Sequence, residues 1–242
     1  MFYFQDENKN QNGKKENNVI VIGGMIGLGK TTVAELLAKE LGSRVFYESV
    51  DDNPILPLFY TLPEEELQKQ RLPFLLQLYF LRTRYEAIRE ALSDGNNVLD
   101  RSIYEDWYFT KVNYDLGRIS KLEMQIYEGL LDAMMKDIES MPKKSPDLMV
   151  YLRASFETVV FRIGLRGREF EQDVSLINYY RKLWEGYDEW LFNCYKASDI
   201  LVLDMDKLDV VNRKEDADYV VSAVKQKLAE ARNKSSLKVI SA

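Results

Sequence analysis

Gly24-Met25-Ile26-Gly27-Leu28-Gly29-Lys30-Thr31 is the stretch that decides the fold, because it fits the P-loop pattern G-x-x-x-x-G-K-[ST]. It follows residues 18–23 (N-V-I-V-I-G), a short β-branched run that predicts a buried parallel strand. Residues 31–41 come next, with apolar side chains at helical spacing. Strand, glycine-rich loop and helix in this order form the context that a phosphate-binding loop requires. The sequence therefore predicts a nucleotide-phosphate site.

The residue types in this loop match the chemistry of phosphate binding. Glycines let successive backbone N–H groups curl around an anion without Cβ clashes, and the following helix contributes partial positive charge at its N-terminus. Lys30 is predicted to reach the β- and γ-phosphates, and the Thr31 hydroxyl to hold Mg²⁺. We assign the whole loop and the next residue, Thr32, to ATP binding.

Composition bounds the remaining possibilities. The 242 residues, 46% of them apolar, suit one α/β domain, which we place at residues 18–232 between a disordered polar tail (1–17) and a C-terminal tail (233–242). The formal charge of −6 argues against a general nucleic-acid surface. The sequence contains no histidine, which excludes His-based triads and His metal sites and leaves carboxylates as proton acceptors.

The single cysteine and the hydropathy pattern bear on location. Cys194 falls on the apolar side of a helical pattern, so we expect it in the core, and it has no second cysteine for an internal disulfide. No apolar run approaches the ~18 residues of a membrane span, and the N-terminus lacks the apolar region of a signal peptide. These features predict a cytoplasmic protein without a membrane partner.

Alternating strand and helix patterns define the predicted fold. Strands are predicted at 18–23, 44–47, 97–99, 147–152 and 200–203, and helices at 31–41, 74–92, 120–138, 155–165, 177–194 and 217–229. This alternation predicts an α/β, three-layer fold with a five-stranded parallel sheet and helices on both faces. The polar insert 61–71 reads as a solvated surface element.

Charged residues at the ends of predicted strands and helices are further candidates for functional roles. Glu48 stands at the carboxyl end of the second strand, where open α/β sheets bind ligands. Asp100 ends the third strand, as Mg²⁺ chemistry in P-loop proteins requires; Asp204 has the same local form, but a basic residue and a hydroxyl follow Asp100. The guanidinium groups of Arg162, Arg166 and Arg168 suit an arginine-rich lid, at about 164–173, that grips phosphates, although a basic solvated face is the alternative.

Five segments together resemble the deoxynucleoside kinase family, most closely its bacterial deoxyadenosine/deoxyguanosine kinases. They are G-M-I-G-L-G-K-T, F-Y-E-S-V-D-D-N-P, L-L-Q-L-Y-F, L-D-R-S-I-Y-E-D and R-I-G-L-R-G-R-E-F-E, in order over residues 18–230. The resemblance implies a P-loop kinase-type fold. It also implies transfer of the γ-phosphoryl group of ATP, with Mg²⁺, to the 5′-hydroxyl of a purine deoxynucleoside in nucleotide salvage. It also implies a homodimer, for which the long helix after Ser120 is a candidate interface.

The resemblance assigns roles residue by residue. Glu48 matches the general base on the 5′-hydroxyl, and Arg101 the arginine that bonds both that glutamate and the reacting phosphate. Asp100 stands where the family more often has glutamate, and either carboxylate can hold magnesium through water. Arg162, Arg166 and Arg168 match the lid arginines. For the acceptor, Gln77 matches the residue that pairs with the base edge, Arg84 and Asp106 the pair beside the base, and Tyr60 and Glu171 the residues at the 3′-hydroxyl.

Other functions remain open at this point. A nucleoside monophosphate kinase such as thymidylate kinase shares the P-loop, the Asp-Arg pair and lid arginines, but the carboxylate of Glu48 would repel a monophosphate. A regulatory NTPase would turn over nucleotide without a small acceptor, and the N-K-x-D guanine signature is not present. A non-catalytic nucleotide sensor is disfavoured by the intact Lys30, Thr31, Asp100 and Arg101. The Gln77 amide alone does not settle which base is bound.

Overall fold

The computed structural model describes residues 17–240, with side chains described up to residue 233. The predicted N-terminal tail, apart from residue 17, lies outside the described residues, as do the side chains of the predicted C-terminal tail beyond residue 233.

A parallel sheet forms the centre of the molecule. Within the described residues its strands are Val19–Gly24 (β1), Arg44–Phe46 (β2), Asn97–Asp100 (β3), Leu148–Arg153 (β4) and Asp199–Asp204 (β5). They are arranged in the order β2-β3-β1-β4-β5, and every neighbouring pair is parallel. The five-stranded parallel sheet predicted from sequence is therefore confirmed.

Helices surround this sheet. They span Lys30–Leu41 (α1), Leu56–Thr61 (α2), Glu64–Lys69 (α3), Leu72–Asp94 (α4), Ile103–Asp115 (α5), Lys121–Glu139 (α6), Phe156–Arg166 (α7), Ile177–Cys194 (α8) and Lys214–Ile240 (α9). All six residues of the central strand β1 are buried, so both faces of the sheet are covered. Across the described part of the chain, no helix combines the length and apolarity needed to cross a membrane.

The topology gathers loops at one edge of the sheet. Strand β3 lies between β2 and β1, with Asp100 in register with Ile22 and Leu99 in register with Phe46. Because the strands are parallel, the segments that follow β1, β2 and β3 leave the sheet at the same edge. The P-loop, Glu48 and Arg101 are therefore neighbours although they are distant in sequence.

Two expectations about individual segments are wrong. The insert 61–71 is not wholly solvated, because it contains α3 and buries Leu67. Cys194 is exposed rather than in the core. It is the last residue of α8 and follows the last buried residues of that helix, Trp190 and Leu191, so the buried stripe of the helix ends before it.

Candidate active site

The P-loop conformation depends on its glycines. Gly24 has φ +142°, and a Cβ there would lie 2.6 Å from the Leu152 carbonyl oxygen. Gly27 has φ +83°, and its Cβ would lie 2.8 Å from Ile163 Cγ1. Gly29, also at φ +83°, caps the N-terminus of α1. A side chain at any of the three positions would strain the backbone, and at Gly24 and Gly27 it would also clash with its neighbours, so the loop needs glycine for its shape.

Lys30 begins α1 and points back into the loop. Its Nζ donates a hydrogen bond to the Met25 carbonyl at 3.0 Å, and the side chain is buried. Burial, helped by the nearby positive charge of Arg101, lowers the pKa of Lys30 to about 8, although the carboxylates of Glu48, Asp100 and Glu105 oppose the shift. A phosphate anion at this loop would favour the protonated amine.

Thr31 and Asp100 meet beside the loop. The Thr31 hydroxyl donates to Asp100 Oδ2. The other carboxylate oxygen, Oδ1, is buried and has no hydrogen-bond partner among the described residues. Burial raises the pKa of Asp100, against the effect of Lys30. An unpartnered buried carboxylate oxygen next to a hydroxyl fits a hard cation such as Mg²⁺. No group of three or more Asp, Glu or Cys side chains suited to a metal occurs within residues 17–233, so most ligands of such a cation would come from nucleotide and water.

Glu48 lies among cations contributed by two further elements. Its Oε1 accepts hydrogen bonds from Arg84, on α4, and lies 3.2 Å from Nε of Arg101, which follows β3. Burial would raise the pKa of Glu48, but the charges of Arg101, Arg84 and Lys30 outweigh it and lower the pKa to about 2. The carboxylate is therefore ionised throughout the physiological range.

One cavity opens beside this carboxylate. Its empty space is about 580 Å³, which includes the solvent at its open mouth. All seven residues predicted for the acceptor line it: Glu48, Tyr60, Gln77, Arg84, Arg101, Asp106 and Glu171. Aromatic walls come from Phe59, Phe80, Phe109 and Tyr179. Polar groups in an aromatic slot suit a flat, polar-edged ligand.

Several polar side chains that line the cavity are in contact with other polar groups. Arg84 contacts Asp106 through Nη1 and lies over the Phe80 ring at 4.6 Å. Its Nε is buried without a hydrogen-bond partner in the described structure. Gln77 is buried, and its Oε1 lies 3.4 Å from the Thr110 hydroxyl. Arg84 therefore offers one free donor, and Gln77 an amide, to a bound ligand.

The predicted lid arginines divide into two groups. Arg166 donates to the buried Glu171, and Arg168 lies 3.7 Å from the same carboxylate. Both line the cavity. Arg162 instead donates to the carbonyls of Leu28 (3.3 Å), Met205 (2.8 Å) and Leu208 (3.0 Å). The structure thus brings two of the three guanidinium groups together, and the contact of Arg162 with ATP stays a prediction.

Two buried residues at this site were not predicted from the sequence. Glu105, on α5, accepts a hydrogen bond from Arg101 at 2.9 Å. Tyr187, on α8, donates to Glu105 and accepts from the Gly24 amide at 2.8 Å. In the sequence, Tyr187 is indistinguishable from the other apolar residues on the buried face of the predicted helix 177–194. Glu105 had one usable signal, because it follows Arg101 by four residues, the spacing of an ion pair on a helix.

Comparison with known proteins agrees with this geometry. The sequence profile of the deoxynucleoside kinase family matches residues 20–229. The chain belongs to this family. This deoxynucleoside kinase is 46% identical over 215 residues to the deoxyguanosine kinase of Lactobacillus johnsonii, covering 88% of this chain and 93% of that one. It is 42% identical over 218 residues to the deoxyadenosine kinase of Lactobacillus acidophilus, covering 89% and 98%.

A solved structure gives the same result for the kinase fold. The deoxyadenosine kinase of M. mycoides with bound dATP superposes with a TM-score of 0.71 at 28% identity, covering 87% of this chain and 99% of that one. The same M. mycoides enzyme has also been solved with bound dCTP. The P-loop kinase-like α/β fold of this deoxynucleoside kinase is therefore shared with structures that hold nucleotides.

Proposed function

We propose that this deoxynucleoside kinase transfers the γ-phosphoryl group of ATP to the 5′-hydroxyl of deoxyadenosine or deoxyguanosine. The observation that carries the proposal is the position of Glu48, whose carboxylate lies at the junction of the P-loop side and the aromatic cavity. Relatives named deoxyguanosine kinase and deoxyadenosine kinase, at 46% and 42% identity, support a purine acceptor. We place the reaction in cytoplasmic nucleotide salvage.

The carboxylate of Glu48 serves as general base in this proposal. It accepts the proton of the 5′-hydroxyl as the oxygen attacks phosphorus, a step worth about 10² to 10⁴ in rate. Arg101 holds Glu48 by its Nε and turns the rest of its guanidinium toward the P-loop side. Phosphoryl transfer has a loose transition state, so alignment and charge neutralisation by Lys30 and Arg101 supply most of the catalysis.

In this proposal, Thr31 and Asp100 form the binding site for Mg²⁺. The Thr31 hydroxyl and the unpartnered Asp100 Oδ1 would hold the ion, Asp100 directly or through water. Held by these two residues, the ion would supply positive charge that neutralises the transferred phosphoryl group.

The acceptor is recognised by its base and its sugar. The free Nε–H of Arg84 can donate to N7 or O6 of a purine, and pyrimidines lack N7. Gln77 offers its amide to the Watson–Crick edge, and Asp106 holds Arg84 in place. Tyr60 and Glu171, at the other side of the cavity, suit the 3′-hydroxyl, since Glu171 is buried and ready to accept a hydrogen bond.

The kinase also acts as a homodimer in our proposal. Helix α6 leaves Leu122, Ile126 and Leu130 exposed at four-residue spacing, which makes one continuous apolar stripe. A second copy of the chain that presents the same stripe would cover it in a two-fold interface.

A panel of acceptors tests the proposed reaction. Purified protein is incubated with Mg·ATP, and ADP formation is followed with each of the four deoxynucleosides, adenosine, guanosine, dAMP, dGMP and no acceptor. We expect ADP mainly with deoxyadenosine or deoxyguanosine, and their ratio gives the base preference. ADP formed only with monophosphates, or equally without an acceptor, would overturn the proposal in favour of a monophosphate kinase or an NTPase.

A further inference from the structure

A buried polar cluster behind the active site joins three elements that the catalytic scheme does not otherwise connect. It consists of Arg101 after β3, Glu105 on α5, Tyr187 on α8 and the backbone of Gly24. Each member is nearly or fully buried. Buried charges and hydrogen bonds of this kind are costly unless they are paired, so their arrangement specifies the positions of the groups involved.

The side chain of Arg101 is anchored on three sides. Its Nε lies 3.2 Å from Glu48, its Nη1 donates to Glu105 at 2.9 Å, and its Nη2 donates to the Gly24 carbonyl at 3.2 Å. The guanidinium lies over the Phe109 ring at 4.6 Å. Glu105 therefore bonds to the end of the guanidinium that lies opposite Glu48, the proposed general base, and this bond determines how the guanidinium is rotated.

The backbone of Arg101 needs such an anchor. Its φ is +71°, in the left-handed region that side chains other than glycine rarely adopt. Residues in this region persist where the surroundings over-determine them. The Arg101 amide donates to the Ile22 carbonyl at 2.9 Å, and the side-chain bond to Glu105 holds the other end of the residue.

Glu105 also reaches the start of the P-loop. The Gly24 amide donates to Glu105 Oε1 at 3.3 Å and to the Tyr187 hydroxyl at 2.8 Å, and Tyr187 donates to the same carboxylate oxygen. Burial, with the charge of Glu105, raises the pKa of Tyr187 well above its usual range, so the phenol keeps its proton and donates. Tyr187 itself is stacked on Tyr151 with ring centroids 5.2 Å apart.

We propose that Glu105, supported by Tyr187, is a positioning residue that orients Arg101 against the P-loop so that Glu48 and the reacting phosphate are aligned. This inference rests on the proposed function, because it assumes that Arg101 acts on the transferred group. The charge-assisted bond from Glu105 is stronger than a neutral one, and among the described residues no other carboxylate bonds to that end of Arg101. Without it, the guanidinium is drawn toward Glu48 alone.

The test compares three isosteric variants with the wild-type enzyme. We expect Glu105→Gln to lower kcat about a hundredfold, the effect of misplacing a catalytic group by about 1 Å. We expect KM for the deoxynucleoside and for ATP to change less than threefold, because the residues assigned to the base and the sugar are held by contacts with residues other than Glu105. Tyr187→Phe should lower kcat several-fold. Tyr151→Phe is the matched control, since its hydroxyl bonds to Asp188 outside the site, and it should leave kcat unchanged.

A double-mutant cycle separates positioning from general packing. If Glu105 acts through Arg101, Glu105→Gln should have little further effect on the single-turnover rate of Arg101→Met. Three outcomes would overturn the inference. Glu105→Gln could lower the rate equally in the wild-type and Arg101→Met backgrounds, it could raise KM without changing kcat, or it could keep the wild-type kcat. If the Tm of Glu105→Gln shows that this variant does not fold, Tyr187→Phe serves as the test instead. In that case, a kcat of Tyr187→Phe equal to that of Tyr151→Phe overturns the inference. Failure of wild-type protein to phosphorylate any deoxynucleoside refutes the proposed function instead.

Discussion

At the scale of single residues, the setting of Glu48 leads to a direct prediction. Glu48→Gln keeps the shape of the side chain and its contact with Arg84, but it removes the proton acceptor. We expect kcat for deoxynucleoside phosphorylation to fall about 10²- to 10⁴-fold, with the fold retained in a Tm measurement. Glu90→Gln is the control, because Glu90 pairs with Arg44 at the surface, far from the cavity. Near-normal turnover in Glu48→Gln would remove this residue from the mechanism.

Lys30 gives a prediction for pH dependence. Its pKa of about 8 in the free protein means that the amine is mostly charged at pH 7 and mostly neutral at pH 9. ATP binds the charged amine, so binding above pH 8 requires uptake of a proton and weakens as pH rises. We expect the Kd for Mg·ATP, measured by calorimetry, to increase about tenfold between pH 7 and pH 9.

Lys30→Arg supplies the control for this effect, because a guanidinium stays charged over the whole range. Its Kd should be nearly flat with pH, whatever its absolute value. A wild-type Kd that is equally flat to pH 9 contradicts the low pKa of Lys30.

The sequence predicts some of these residues better than others. Lys30, Glu48 and Asp100 lie in a motif or at a strand end, where chain position alone determines location at the sheet edge. The aromatic helix pattern gave Tyr187 no distinguishing signal, because its hydroxyl partners are 82 and 163 residues away along the chain. Long-range polar contacts leave no local periodicity, so the supporting cluster could be found only in three dimensions.

At the scale of secondary-structure elements, the N-terminus of α6 is stabilised by a reciprocal cap. The Ser120 hydroxyl accepts from the Glu123 amide at 3.3 Å, and the Glu123 carboxylate accepts from the Ser120 amide at 2.8 Å. Arg71 donates to the same carboxylate at 2.8 Å. The S-K-L-E pattern at residues 120–123 is the sequence signature of this capping box.

Removal of the cap should destabilise the protein measurably. We expect Ser120→Ala to lower the free energy of unfolding by about 1 kcal/mol, which corresponds to a Tm decrease of about 2–4 °C in a chain of this size. Ser93→Ala is the matched control, since the exposed Ser93 hydroxyl only donates back to the Arg89 carbonyl within α4. A Tm shift for Ser120→Ala no larger than that of Ser93→Ala would show that the cap contributes little.

Element prediction failed where local signals conflicted with tertiary packing. Helices α2 and α3 were not predicted. Pro57 lies in the first turn of α2 and Pro63 directly precedes α3, and both are positions at which a helix tolerates proline. Helix α5 was missed because polar and aromatic residues alternate over 103–115 without a clear apolar stripe. Its polar side chains, among them Glu105, Asp106 and Asn113, are buried by contacts within the site and not by a periodic core face.

At the scale of the whole molecule, the exposed stripe on α6 tests the proposed dimer. Leu122, Ile126 and Leu130 are 67%, 47% and 42% exposed, which is unusual for three aligned large aliphatic side chains. We expect Ile126→Glu to shift the protein from dimer to monomer in sedimentation equilibrium, because two like charges would meet across a two-fold interface. Gln125→Glu adds the same charge on an adjoining exposed side of the helix and should leave the dimer intact. A wild-type monomer, or an Ile126→Glu dimer of unchanged affinity, would rule out this face.

The bond between the Gly24 amide and the Tyr187 hydroxyl also has a consequence for biosynthesis. These residues are 163 positions apart, so Gly24 leaves the ribosome well before Tyr187 is synthesised. At about 5–20 residues per second, translation needs roughly 8 to 30 s to supply its distant partner. During this interval the nascent chain carries an incompletely fixed nucleotide loop, and the loop acquires its final support only when α8 docks.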